Sequence, residues 1–321
     1  MTDVTEHQSD GVPVRVPVIL GDGRYRALLT PTGSGTAVFD DYLLTGWADD
    51  PCLDEHGLAL VIRALDGGRP WSACGTPMAV SRRVTVVPDG VQLDSAEGAL
   101  EARVTVRVFD CAEQRTLRLR NRGTTPLVLE VTAVCDVVLN PPDAQEGHPA
   151  FSKLFVQTAW DAQHQGLVAL RRLRQNGEQH PALALCLQGA PIVSYETDRA
   201  RWLGRGRSAA QAQGLWAALS NTTGSVLDPV LALRVRISLP AQGEAVLVAT
   251  LGAADTRADL SAALRAEGPI ASARGGRGYP AAGTAGADHG DACGARRCRR
   301  GCAGVHRGGR RVRDASRQWV R

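Results

Sequence analysis

The chain has 321 residues, 37 basic and 33 acidic, and a net charge of +4. That value describes neither part of it: residues 268–321 hold twelve arginines against Asp288, Asp291 and Asp314, about +9, so residues 1–267 carry about −5. A hydrophobic share of 44% excludes a disordered or fibrous chain, and no apolar run approaches the roughly 20 residues of a membrane helix.

Residues 1–13 read as a polar leader. The polar, acidic start from Met1 to Glu6 shows no signal peptide. Gly21-Asp22-Gly23 and Gly33-Ser34-Gly35 are turn signals, too isolated from any helix to cradle phosphate. Asp40-Asp41, Asp49-Asp50 and Asp54-Glu55 read as solvated surface rather than a catalytic carboxylate pair. The body's five cysteines, Cys52, Cys74, Cys111, Cys135 and Cys186, are odd in number and scattered. They therefore predict free thiols in a reducing, cytoplasmic setting.

From Leu100 to Asp110 apolar and polar residues alternate, with Leu100, Ala102, Val104, Val106 and Val108 on one face and Arg103, Thr105 and Arg107 on the other. This period of two predicts a half-buried strand. Further strands are expected over 115–120, 127–139, 154–158, 167–171, 182–187, 192–195, 231–237 and 245–251, separated by short turns. Such spacing predicts an all-β protein, a large antiparallel sandwich over residues 14–254. A short C-terminal linker helix is expected over 256–267, with Asp255 as N-cap and Gly268 as stop. Beyond it, twelve glycines in 54 residues and lost periodicity predict a low-complexity tail over 268–321, either disordered or the product of a shifted GC-rich reading frame. Cys293, Cys298, Cys302 and His306 stand close together there, but their spacing matches no zinc module; no metal and no cofactor are expected. The tail arginines lack aromatic partners or a recognition fold, so no nucleic acid is expected, and membrane insertion is not expected either.

Two segments carry the densest chemistry. In the first, Glu146 to Phe155, a polar loop holding the solitary lysine leads into a strand. Taken alone it reads as Phe151 and Phe155 filling the core while Lys153 snorkels; the functional alternative presents Lys153 and His148 to a polar ligand. In the second, Tyr195 to Ser208, acids and arginines surround Trp202. Loop anchoring is the simpler role, and a sugar-stacking platform of Trp202 with Arg205 is the alternative.

Together these blocks resemble one family. Gly21-Asp22-Gly23-Arg24-Tyr25, Thr30-Pro31-Thr32-Gly33-Ser34-Gly35, Trp71-Ser72-Ala73, the run from His148 to Thr158, and Glu196-Thr197-Asp198-Arg199 through Arg207 are similar to the β-sandwich of glycoside hydrolase family 94. Leu227-Asp228-Pro229 follows in the same order. Within the family they look most like the phosphorylase-like C-terminal region of cyclic β-1,2-glucan synthases, over about residues 14–265.

The resemblance implies a galactose-mutarotase-like "supersandwich", then a helical linker and an (α/α)6 barrel that supplies the catalytic aspartate. No barrel pattern follows residue 267, so no catalytic residue is expected in this chain. What the resemblance implies instead is a carbohydrate-binding or assembly domain. Its expected partners are a β-glucan or gluco-oligosaccharide, or a second copy or a separate catalytic barrel. Ser152-Lys153 stand where a Gln-Arg pair of the family approaches sugar, and Thr45-Gly46-Trp47 replaces an expected Thr-Arg-Trp. The candidate substrate-binding residues are accordingly Lys153, Ser152, His148, Arg205 and Trp202. An independently active sandwich would need a histidine paired with a carboxylate, for which only His56 and His148 come into question.

Overall fold

The alternation of apolar and polar residues governs how this chain folds. The computed structural model describes residues 12–13, 17–47, 54–75, 82–175 and 177–265. The strand Leu100–Val108 buries Leu100, Ala102, Val104 and Val106, the face its sequence marks as inward. It lies in a ten-stranded antiparallel sheet, flanked by Gly90–Glu97 on one side and Ala112–Asn121 on the other. The long strand Glu244–Ala254 comes next and joins this half of the sheet to a second half. That half begins with Ala182–Gln188, Gly166–Arg171 and Val156–Asp161.

A second sheet of five strands runs in the order Ile192–Asp198, Pro229–Leu239, Leu127–Asp136, Ala59–Ala64, Trp71–Cys74. Its inner face packs with that of the long sheet around Ile62, Leu129, Val131, Leu233 and Val235, opposite Leu117, Leu185 and Leu251. A small sheet of Val18–Leu20, Tyr25–Leu29, Gly35–Phe39 and Tyr42–Leu43 contributes Tyr25, Leu29 and Phe39 to the same core. The expected all-β sandwich is thus the architecture found. Cys74, Cys111, Cys135 and Cys186 are free thiols, whereas Cys52 lies outside the described residues, as do residue 268 onward and the Cys293–His306 cluster.

Three boundaries differ from those the sequence predicts, each for a physical reason. The strand expected to run to Leu139 stops at Asp136. Val138 N–H then donates to Leu44, and Asn140 bridges Leu43, so the chain turns off to join the small sheet. The strand expected from Leu154 begins at Val156, because Pro149, preorganised for a first helical turn, opens a short helix over Pro149–Lys153. The C-terminal helix is Leu260–Leu264 rather than 256–267 within the described residues. Asp255 cannot cap it, since Arg24 Nη1 and Nη2 hold its carboxylate at 3.0 and 2.5 Å while also binding Asp40. Asp259 occupies the N-cap position, and Leu260 and Ala263 bury themselves against the long sheet.

The outer face of the five-stranded sheet is covered as well. The segment from Arg199 to Leu219 folds back over it and seals Ala59, Val61, Val134, Val230 and Ala232 under Trp202, Ala212, Leu215 and Leu219. That cover explains why Leu127–Asp136 is buried on both faces. It also places the edge of Trp202 beside the C-terminal end of that strand, where Asp136 stands.

Candidate functional site

Asp136 is the last residue of an apolar strand, the position at which a carboxylate leaves the core for the sheet's end. Its Oδ2 accepts two hydrogen bonds, from the Gly46 N–H at 2.9 Å and from His56 Nδ1 at 3.1 Å. Glycine at 46 is what permits this approach: a Cβ there would sit on top of Asp136 Oδ2 and only 2.5 Å from His56 Nδ1. The sequence departure at Thr45-Gly46-Trp47 thus creates the room that the histidine and carboxylate share.

The two groups tune each other. Burial pushes the His56 imidazolium toward deprotonation, but the hydrogen bond and charge of Asp136 outweigh it and hold the pKa above the ordinary histidine value. Burial likewise pushes Asp136 up, yet His56, Lys153 and Arg199 together bring it below the ordinary carboxylate range. A histidine pKa raised by folding contributes stability that is complete below the unfolded value and lost as pH rises through the folded one. With burial and Arg199 no longer opposed by Asp136, Asp136→Asn is expected to drop the His56 pKa below the ordinary histidine value and to remove that acid-side stability, as read by NMR titration of the imidazole and by melts at pH 5 and 8.

A polar chain continues from this pair. Arg199 lines the same pocket, with Glu55, His56, Asp136 and the edge of Trp202. Its Nη1 lies 3.3 Å from Asp228 Oδ2, and Lys153 Nζ donates to Asp228 Oδ1 at 2.6 Å. The pocket measures about 40 Å³, enough for a water or one inserted hydroxyl but not for a sugar ring. Asp136, which lines this pocket, has its second carboxylate oxygen, Oδ1, buried without a hydrogen-bond partner among the described residues.

Of the residues marked in the sequence, His56 is paired to the carboxylate of Asp136, and Lys153 and Trp202 reach this neighbourhood. Lys153 is not a free cation, being paired to Asp228, and Trp202, 4% exposed, packs against Gly214 and anchors the covering segment. A stacking platform would need an open ring face, so Trp202 is an anchor and not a platform. Ser152 is buried and accepts from Arg171 Nη1 at 3.2 Å. His148 and Arg205 are exposed and do not join the cluster. Phe151, expected in the core, is 53% exposed, because the helical turn at Pro149–Lys153 swings it outward. It pairs edge-on with the half-buried Phe155 at 5.2 Å beneath Arg174.

Comparison with known proteins agrees with this architecture. Residues 4–267 match the glycosyl hydrolase 94 supersandwich domain. The chain is 34% identical over 238 residues to the cyclic beta-(1,2)-glucan synthase NdvB of Rhizobium meliloti (strain 1021), covering 71% of this chain and spanning about 8% of that relative's length. Among solved structures it is similar to a polysaccharide lyase, with TM-score 0.47, 17% identity, and coverage of 75% of this chain and 34% of the other. It is also similar to a galactose mutarotase-like protein from Lactobacillus casei, with TM-score 0.41, 9% identity, and coverage of 74% and 100%. Among the described residues no helix is long and apolar enough to cross a membrane. By its sequence match and its antiparallel sandwich, the chain belongs to the glycosyl hydrolase 94 family, as its supersandwich domain.

Proposed function

We propose that this domain binds a β-glucan or gluco-oligosaccharide, with β-1,2-linked glucose as the first ligand to try, at the His56–Asp136 cleft and the Lys153 loop beside it. The observation that carries the reading is Asp136 Oδ1, a buried acceptor without a donor among the described residues. An unmet buried acceptor of this kind costs free energy, and a sugar hydroxyl entering a water-sized pocket supplies the missing hydrogen bond. Arg199 in the pocket lining, and Asp228 and Lys153 paired behind it, offer further donors and acceptors to neighbouring hydroxyls. The similarity to a cyclic beta-(1,2)-glucan synthase supports the choice of linkage, and the free, buried Cys74, Cys135 and Cys186 support a cytoplasmic setting.

Calorimetric titration with linear β-1,2-gluco-oligosaccharides tests the reading. Saturable binding is expected, weakened about tenfold in Asp136→Asn, the worth of one hydrogen bond to a charged group. With inorganic phosphate and sophorose the chain alone is expected to release no glucose 1-phosphate, because Asp136 is committed through Oδ2 and has no room for a ring. The second reading is a docking or dimerisation module blind to sugar. It is favoured by the exposed Phe151, Leu154 and Leu173 beside Arg174. A concentration-dependent dimer that shows no heat with any glucan would replace the first reading with the second.

A further inference from the structure

The solvent face of the long sheet carries a second arrangement, far in sequence from the cleft. Cross-strand register places Arg83, Asp94, Arg103 and Arg118 in one row over four adjacent strands, the row ending on Val246. A parallel row sets Glu101, Arg120 and Glu244 side by side. Arg122 completes the edge of a trough of about 1170 Å³. Six arginines line it with three carboxylates; Arg82 turns to the backbone carbonyls of Thr32 and Ser72, which leaves five arginines facing Asp94, Glu101 and Glu244. The pairs are identifiable: Arg103 with Asp94 at 2.7 Å, Arg122 with Glu101 at 2.9 Å and Arg120 with Glu244 at 3.4 Å. Arg83 and Arg118 make no ion pair among the described residues, and Arg118 stands directly opposite Arg103.

Like charges directly opposite on neighbouring strands destabilise a sheet. An anion lying between them reverses the sign, and the planar guanidinium fork matches a carboxylate, sulfate or phosphate group. Arg83 lies three strands from Arg118, roughly 14 Å at the usual strand spacing, so one small anion cannot satisfy both. A chain with repeated negative groups can. Among the described residues no aromatic ring lines the trough, which leaves nucleobases without a stacking surface there. Its acids can accept from hydroxyls, and Ala96 offers a small apolar contact.

We propose that this arginine trough is a binding site for an anionic oligosaccharide, its charged groups held at Arg118–Arg103 and at Arg83. The site is separate from the His56–Asp136 cleft and does not depend on sugar binding there.

The probe is tetragalacturonate, titrated at about 50 mM salt, with neutral β-1,2-glucotetraose and a short single-stranded DNA as comparisons. Binding of tetragalacturonate is expected to be saturable and salt-sensitive, and to weaken at least about tenfold in Arg118→Gln and in Arg83→Gln. Arg118→Gln is also expected to raise the melting temperature by about 1–3 °C, since it relieves the opposed charges. An arginine kept for structure would lower it. Asp136→Asn should leave this binding unchanged. Absence of binding at low salt, affinity unaltered in both arginine variants, or equal affinity for the DNA would each overturn the proposal.

Discussion

Replacing Glu130 with glutamine is expected to cost about 3–5 kcal/mol of folding stability, because it leaves three arginines without their common counter-charge. Glu130 is 5% exposed and sits in the middle of a cross-strand row, Arg63 on one side and Arg236 on the other. Arg63 Nη2 and Arg236 Nη2 each approach it to 2.7 Å, and Arg234 Nη1 lies at 3.6 Å. The same arginines hold the covering segment: Arg63 donates to the Trp216 carbonyl, and Arg234 to the carbonyls of Gly214 and Ala217. Loss of the carboxylate therefore loosens the lid that carries Leu215 and Leu219 over the sheet. Burial raises the Glu130 pKa, but the three guanidinium groups reverse this and hold it below the usual glutamate range. The stability it contributes is present above the unfolded pKa and lost as pH falls through the folded one. Urea titrations of the two proteins should accordingly differ most near neutrality and converge only as pH falls below the ordinary glutamate range. Equal midpoints at pH 7 would show that the arginines are solvated without it.

A comparable loss, again about 3–5 kcal/mol, is expected for Arg115→Met. Arg115 and Glu113 point inward from one strand and are almost wholly enclosed, their charged groups 3.3 Å apart. Arg115 Nη1 also donates to the carbonyls of Gly33 and Leu58 and meets Cys74 Sγ at 2.9 Å, tying the glycine turn to the core. Methionine fills much of the space but abandons these acceptors and strands a buried carboxylate. Burial already holds the Glu113 pKa above the ordinary value despite the pull of Arg115. A carboxyl whose folded pKa is raised favours folding less as pH climbs past its unfolded value, so the deficit of Arg115→Met should be larger at pH 8 than at pH 4. The double variant Glu113→Leu with Arg115→Met is expected to recover much of the loss. If it is no more stable than Arg115→Met alone at pH 8, the carboxylate is not the source of the cost.

How far the sequence announces this molecule depends on the range over which a signal acts. Strands such as Leu100–Val108 are legible because the inward and outward faces are written in consecutive residues. The covering segment is legible in composition alone: a tryptophan among arginines and acids suggests anchoring, and Trp202 anchors. Of the His56–Asp136–Gly46 arrangement the sequence marks His56 and Gly46 singly but not their partner, because Asp136 lies 80 and 90 residues from them and hides at the end of a largely apolar run. A single acid closing a hydrophobic strand is the trace that would have marked it. Phe151 and Phe155 mislead for a local reason, as Pro149 starts a helical turn where a strand entry was expected. The arginine row is invisible for a different one: each strand shows an ordinary polar face, and only the register sets Arg103 against Arg118.

The strand Glu244–Ala254 lies between Ala112–Asn121 and Ala182–Gln188, bonded to both, yet it is the last strand of the described chain to be synthesised. Until it emerges from the ribosome, the two halves of the long sheet each present an open inner edge, and the core between the sheets lacks Leu247, Ala249 and Leu251. Closure then requires segments separated by more than a hundred residues to meet, which makes folding slow and defers it until this strand has emerged. The nascent domain is consequently most exposed to edge-to-edge aggregation in the interval before residue 254 clears the exit tunnel, and growth temperature and translation rate become determinants of its yield.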